Sequence, residues 1–156
     1  MLISALSIAG DLPDARVTPG AVDQNITQSN IHSTICKPYY AKSVRPAKYF
    51  TNSLKWKQLH QYGYGDLNPT HYEEDHLIAL SIGGNPTDER NLWPEPRSGE
   101  WGAEKKDVLE FVLYRMVCTD EIALVQAQRA MASDWIDAYK KYVPSHPNFR
   151  WHGERD

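Results

Sequence analysis

The chain has 156 residues, of which 41% are apolar and 24% charged. That length suits one domain around one core, and that balance excludes a chain disordered over most of its length. The formal net charge of −3 excludes a uniformly basic nucleic-acid coat, and no segment is long and apolar enough to span a membrane. In chain order, residues 1–17 form an extended lead-in. The first ten are mostly small or apolar and carry no Lys or Arg. They fit either the trimmed remnant of a secretion signal or an ordinary frayed end. Between Gln24 and Gly65 no Asp or Glu occurs, while Lys37, Lys42, Arg45, Lys48, Lys55 and Lys57 are interleaved with Tyr39, Tyr40, Tyr49, Phe50, Trp56, Tyr62 and Tyr64. Such a stretch suits a phosphate backbone and unstacked bases; it equally describes a solvated face above an aromatic core. Residues 53–61 have a short helical pattern, broken by Gly63 and Gly65, and Asn68-Pro69 marks a turn. Residues 72–80 read as a strand and then a loop, followed by the breaker cluster Gly83-Gly84-Asn85-Pro86. Residues 91–93 read as a short second strand, stopped by Pro94 and Pro96. After Gly102, the spacing of Val108, Leu109, Val112, Leu113, Met116 and Val117 predicts a helix. Thr119 and Asp120 are placed to cap another, with Leu124, Met131, Trp135 and Tyr139 as its buried stripe and Pro144 as its end. Residues 144–156 read as a loosely ordered tail. The fold class expected is α+β: a small β-hairpin, then helices, with an irregular N-terminal half.

Chemistry concentrates at Asp75-His76, at the end of the first strand. A carboxylate is a hard oxygen ligand suited to Mg²⁺ or Mn²⁺, and a neutral imidazole can take a proton from water. Phosphodiester hydrolysis uses both. Neighbours in a strand point to opposite faces, so such a pair is expected where the strand ends and bends. Cys36 and Cys118 are too few for a four-thiolate zinc site and leave open one disulfide or two buried thiols. No Gly-rich phosphate loop, His-Glu-x-x-His helix or Ser nucleophile elbow is present. His71, five residues before His76 with Glu73 between, is a near miss to a metallohydrolase His cluster and reads better as a loop histidine.

The run Asp75-His76-Leu77-Ile78-Ala79-Leu80, Gly83-Gly84 and Asn91-Leu92 resembles the HNH (ββα-metal) endonuclease pattern. A wider set of residues resembles a group of small bacterial, often exported, HNH-like proteins. That set comprises Thr18-Pro19-Gly20-Ala21-Val22, Thr34-Ile35-Cys36, Val44-Arg45-Pro46, Tyr62-Gly63, Glu73-Glu74-Asp75-His76-Leu77-Ile78, Asn91-Leu92-Trp93-Pro94, Lys106-Asp107, Val117-Cys118, Ala127-Gln128 and Asp134-Trp135. The resemblance implies a single HNH-like nuclease domain over residues 18–143, with a ββα-metal core of hairpin plus helix and a further C-terminal helix. By resemblance, His76 is the general base, Asp75 a metal ligand, and Asn91 the residue whose amide braces the loop carrying the base. One divalent ion is implied, Mg or Mn, with Ni or Zn as alternatives.

Two departures stand out. Ala79 replaces a proline common in the pattern, and the helix histidine that usually completes the metal site is absent, since no His occurs between His76 and His146. Asp107, with Glu104 as the other choice, is the expected second ligand. The expected partner is nucleic acid, DNA with RNA as an alternative, held by its backbone through Lys42, Arg45, Lys48, Lys55 and Lys106. Lys106, beside Lys105, fits a solvated helix face equally well. Both cysteines sit beside Ile or Val within the resembled pattern, which implies a Cys36–Cys118 disulfide and a secreted or periplasmic location. The alternative function is a degenerate HNH-like module that binds nucleic acid or a partner protein without cutting.

Overall fold

The computed structural model describes residues 10–150. The first nine residues, on which the secretion-signal reading falls, and residues 151–156 of the expected tail lie outside the described residues. The chain is α+β, with a two-stranded antiparallel sheet and several helices. Two α-helices precede the sheet among the described residues, α1 (Tyr40–Val44) and α2 (Lys48–Gln61), with a short 3-10 helix before and after them (Gln28–Ser33 and Pro69–His71). The strands β1 (Tyr72–His76) and β2 (Leu92–Pro96) pair from Tyr72 opposite Pro96 to His76 opposite Leu92. They are followed by α3 (Ala103–Cys118) and α4 (Leu124–Tyr142).

β2 runs through Pro94 and Pro96 instead of stopping at them. Thr18 Oγ1 and Gln58 Nε2 both donate to the Leu92 carbonyl (3.0 and 2.8 Å), so this residue turns its backbone away from β1. By the two-residue repeat of a strand, 94 and 96 turn outward as well, where a missing N–H breaks no rung of the ladder. α2 starts a turn earlier than the sequence pattern predicts, and α1 has no apolar periodicity to announce it.

The hairpin separates two cores. Trp93 and Leu77 join the main core with Ile31, Ile35 and Ile82 from the loops, Leu109 and Leu113 of α3, and Met131 and Trp135 of α4. Tyr72 instead stacks on Tyr64 above Leu59 of α2. The expected Thr119–Asp120 cap does not form. Thr119 closes α3, Asp120 adopts a left-handed turn (φ 60°) after it, and α4 begins after Ala123. The first N–H of α4, that of Leu124, is taken by Gln28 Oε1 at 2.7 Å, from the start of a 3-10 helix 96 residues earlier. Within α4 the helix breaks at Asp134 (φ −162°, ψ 97°), whose Oδ1 accepts from the Asp137 N–H and so caps the second half. Met131, Trp135, Ala138 and Tyr142, at ordinary helical spacing, all face inward on either side of that break.

Cys36 and Cys118 are joined by a disulfide, tying the N-terminal half to the end of α3. No helix among the described residues is long and apolar enough to cross a membrane. After Pro144 the chain turns back. His146 meets Glu121 and stacks on Phe149, and the Arg115 guanidinium of α3 lies over the Phe149 ring.

Candidate functional site

The loop between the strands is built by two glycines and one asparagine. Gly83 sits at φ 81°, a left-handed conformation that glycine adopts without strain. At Gly84 any Cβ would overlap the Ile78 carbonyl and crowd the Asn91 amide. Asn91 is fully buried. Its Oδ1 accepts from Ile78 N–H (2.9 Å) and Ala21 N–H (3.3 Å), while its Nδ2 donates to the carbonyls of Ile78 (3.0 Å) and Asn85 (3.1 Å). One side chain thus holds both ends of the loop and the segment at Ala21. That segment adds its own rungs, Asp23 N–H to Gly83 O and Asn85 N–H to Ala21 O.

His76, only 4% exposed, donates from Nε2 to the Pro86 carbonyl of this loop at 2.9 Å. A carbonyl can only accept, so Nε2 carries the proton and Nδ1 keeps its lone pair. Burial pulls the imidazole pKa below its ordinary value, and the positive field of Arg45 adds to that. The ring is therefore neutral at pH 7. Glu74, two residues back on the same face, has both carboxylate oxygens buried without a hydrogen-bond partner. Burial pushes it up to about 9, against the pull of Lys55.

Asp75 points to the opposite face, toward α3. Its Oδ2 lies 2.6 Å from Lys106 Nζ, and the same ammonium donates to His76 O (2.7 Å) and Glu110 Oε1 (2.5 Å). Lys106 is fully buried, not on the nucleic-acid surface where the sequence reading put it. Its amine has three hydrogens and three acceptors. Burial disfavours its charge, yet Asp75, Glu110 and Glu95 hold the proton on it. Burial would raise Asp75 too, but Lys106 holds it down at about 2. Glu95, 1% exposed, finds no donor as an anion. Burial raises it well above the carboxylate range, and as an acid it donates to Asp75. Glu110 rises to about 8 by burial. One cation among three carboxylates leaves excess negative charge, which these protons relieve.

The expected metal ligands do not come together. Lys106 takes the Asp75 oxygen that would face an ion, and Glu104 is exposed on α3. Asp107 is half-buried, one position and about 100° around the helix from Lys106. Among the described residues no three His, Cys, Asp or Glu side chains are arranged to hold a metal ion. The residues present do not fit a divalent ion held by Asp75 with Asp107 or Glu104.

The basic stretch divides. Lys42, Arg45 and Lys48 are exposed. Lys55 is half-buried and donates to the Tyr72 carbonyl (3.1 Å), and Lys57 pairs with Glu89. Lys106, Glu95 and Glu110 are the group that sequence reasoning missed. The signal was there: Lys106 precedes Leu109 by three positions and follows Ala103 by three, on the buried face of α3. No family model, curated protein or solved structure matches the chain.

Proposed function

We propose that the chain is an HNH-like phosphodiesterase acting on nucleic acid, with the hairpin and α3 as its ββα unit. The observation that supports this best is the orientation of His76. Its Nε2 is anchored on the Pro86 carbonyl, its Nδ1 is left as the proton acceptor, and Asn91 holds the loop that does the anchoring. In this reading Nδ1 removes a proton from the water that attacks phosphorus in line, the opposite P–O ester bond breaks, and the departing sugar oxygen takes a proton from solvent. Arg45, whose field already reaches the imidazole, takes the charge that builds on the phosphate. Lys42 and Lys48 hold the backbone without reading bases. The disulfide fits an oxidising, extracytoplasmic location.

Nicking of a supercoiled plasmid tests the assignment, with Mg²⁺, with Mn²⁺ and with excess chelator. His76→Ala should lower the rate by about 10²–10⁴-fold, the usual loss of general-base help, while DNA binding persists. Near-wild-type nicking by that variant would remove His76 from the mechanism. A second reading, a module that binds without cutting, is favoured by the engagement of Asp75 with Lys106. It predicts salt-dependent DNA binding, weakened by Lys42→Ala and Lys48→Ala, with no nicking under any of these conditions.

A further inference from the structure

α2 buries one face and leaves an aromatic one in solvent. Leu54 and Gln58 turn inward, and Gln58 Nε2 donates to the Leu92 carbonyl of β2. At about 100° per residue, Tyr49 lies about 140° round the helix from Leu54 and opposite Gln58. Trp56, seven residues after Tyr49, falls within about 20° of it, roughly 10 Å further along the axis. Both rings are open to solvent, Tyr49 81% and Trp56 52% exposed. Lys48 and Lys57 stand on the two margins of this face, and α2 contains no Asp or Glu. We propose that the outer face of α2 is a stacking platform for the unstacked bases of a single DNA strand, with Tyr49 and Trp56 under the bases and Lys48 on the phosphates. The proposal rests on the nucleic-acid reading above and narrows it to single-stranded substrate.

Packing does not account for these two rings, since they point away from everything α2 buries. Their company is specific as well. Among the described residues the exposed Tyr, Trp and Phe side chains are Tyr39, Tyr49 and Trp56, and all three fall between Gln24 and Gly65, where no acidic residue occurs. Exposed rings among lysines, with no carboxylate to repel phosphate, are complementary to a strand that offers base faces and anionic links together. A duplex offers its base edges in the grooves and keeps its base faces stacked on one another, so only a single strand can use the rings. A second copy of this face would set lysine against lysine, with no acid on the helix to relieve them. The other edge of α2 meets the strand face that carries His76. Lys55 donates to the Tyr72 carbonyl of β1, and Arg45, three residues before the helix, lies close enough for its charge to reach the imidazole. A strand laid along α2 therefore passes beside the proposed base.

Fluorescence polarisation tests this with labelled oligo(dT) of about twelve nucleotides, within the usual site size of such platforms. Binding is measured in excess chelator, with the probe recovered intact. Wild-type protein should bind the single strand roughly tenfold or more tightly than its duplex with oligo(dA), the equivalent of one stacked base. Tyr49→Ala and Trp56→Ala should each weaken the single strand by about 5- to 150-fold and leave duplex binding unchanged. Trp56→Phe, which keeps a ring, should retain most of the affinity. Both positions are exposed, so thermal midpoints should match wild type; Tyr49→Gln and Trp56→Gln, suited to a solvated helix face, replace the alanines if a midpoint falls. Equal affinity for strand and duplex overturns the proposal, as does single-strand binding that neither variant alters. Oligo(U) bound tighter than oligo(dT) by roughly tenfold would make the occupant RNA and overturn the assignment to DNA. A wild-type dimer in gel filtration that these variants dissociate would make the face an interface between copies, and the proposal fails. The two readings separate cleanly. A protein that holds oligo(dT) through these rings but never nicks DNA loses the nuclease assignment and keeps the platform. One that nicks DNA while both variants bind oligo(dT) like wild type keeps the nuclease assignment and loses the platform.

Discussion

Glu74 illustrates how far one buried group can bend the pH dependence of the whole fold. Both its oxygens are buried without a partner, and burial lifts its pKa from 4.5 to about 9. The folded state therefore keeps a proton that the unfolded chain releases. Its stabilising effect is complete below about pH 4.5 and is lost progressively as the pH rises toward 9. At about 1.4 kcal/mol per pH unit, the loss between pH 5 and pH 8 is on the order of 4 kcal/mol. Glu74→Gln, which keeps the shape and never ionises, should flatten this decline: little change in midpoint at pH 5, a clear gain at pH 8. Parallel stability–pH curves for variant and wild type would show that Glu74 ionises freely in the fold. His76 acts with the opposite sign. Its pKa is lowered by burial, so its neutral form favours the fold above about pH 6.5 and that help is lost as the pH falls. Falling pH through His76 and rising pH through Glu74 thus act against each other on the hairpin, through neighbours on one strand face.

At the scale of elements, α4 shows a helix whose start is supplied from elsewhere. Ala123 at its N-cap offers no side-chain acceptor, and Gln28 Oε1 takes the Leu124 N–H instead. Gln28→Ala should cost about 0.5–2 kcal/mol, the range for a lost cap. It should appear as a lower urea midpoint with unchanged slope, while Gln28→Glu retains the acceptor and most of the stability. An alanine variant as stable as wild type would mean that water replaces the cap at no cost. No reading of residues 119–124 alone reveals this arrangement, because the capping group comes from the opposite end of the chain. The same limit explains what was legible elsewhere. The Gly83-Gly84 loop, α3 and α4 are marked by local pattern, glycine or apolar residues at helical spacing, and the two strands by the turn and breaker residues that flank them. Asp75, His76 and Asn91 stand out as candidates because their residue types sit at a recognisable spacing. Lys106 stands out only as a surface residue, since beside Lys105 it looks like half of a solvated pair, although its spacing from Ala103 and Leu109 marks the buried face. Its burial is decided by Asp75 and Glu95, on strands that the sequence does not place opposite it. Pro94 and Pro96 misled for a related reason. Proline ends a strand only where the missing N–H was needed, and that depends on which way the partner strand lies.

Across the whole molecule, residues 10–39 hold no α-helix or strand and are held by long-range ties. Trp135 Nε1 donates to the Asp11 carbonyl, Tyr62 donates to Thr18 Oγ1, Gln28 caps α4, and Cys36 is bonded to Cys118. Of these only the disulfide is covalent, and it closes a sequence separation of 82 residues. A loop of that size restricts the unfolded chain strongly, which is worth about 4–5 kcal/mol in the chain-entropy model. That is comparable with much of the net stability of a small domain. Cys36→Ser with Cys118→Ser, or wild-type protein in dithiothreitol, should therefore lose about 10–15 °C in midpoint for a chain of this length. The loss should be similar for either single serine variant, since each breaks the same bond. Equal midpoints in oxidising and reducing buffer would show that the noncovalent ties suffice and that the bond adds nothing. A large loss carries a second consequence. The hydrogen bonds that tie Asp11 and Gln28 to α4 join segments far apart in sequence, so they are easier to form once the disulfide has closed the loop. Without the covalent link their combined entropy cost falls on the hydrophobic core of α3 and α4 alone. Reduction should then release the N-terminal half first, seen as early loss of amide protection over residues 11–36 while α3 and α4 stay protected. Uniform loss of protection in both halves would instead mark one cooperative unit.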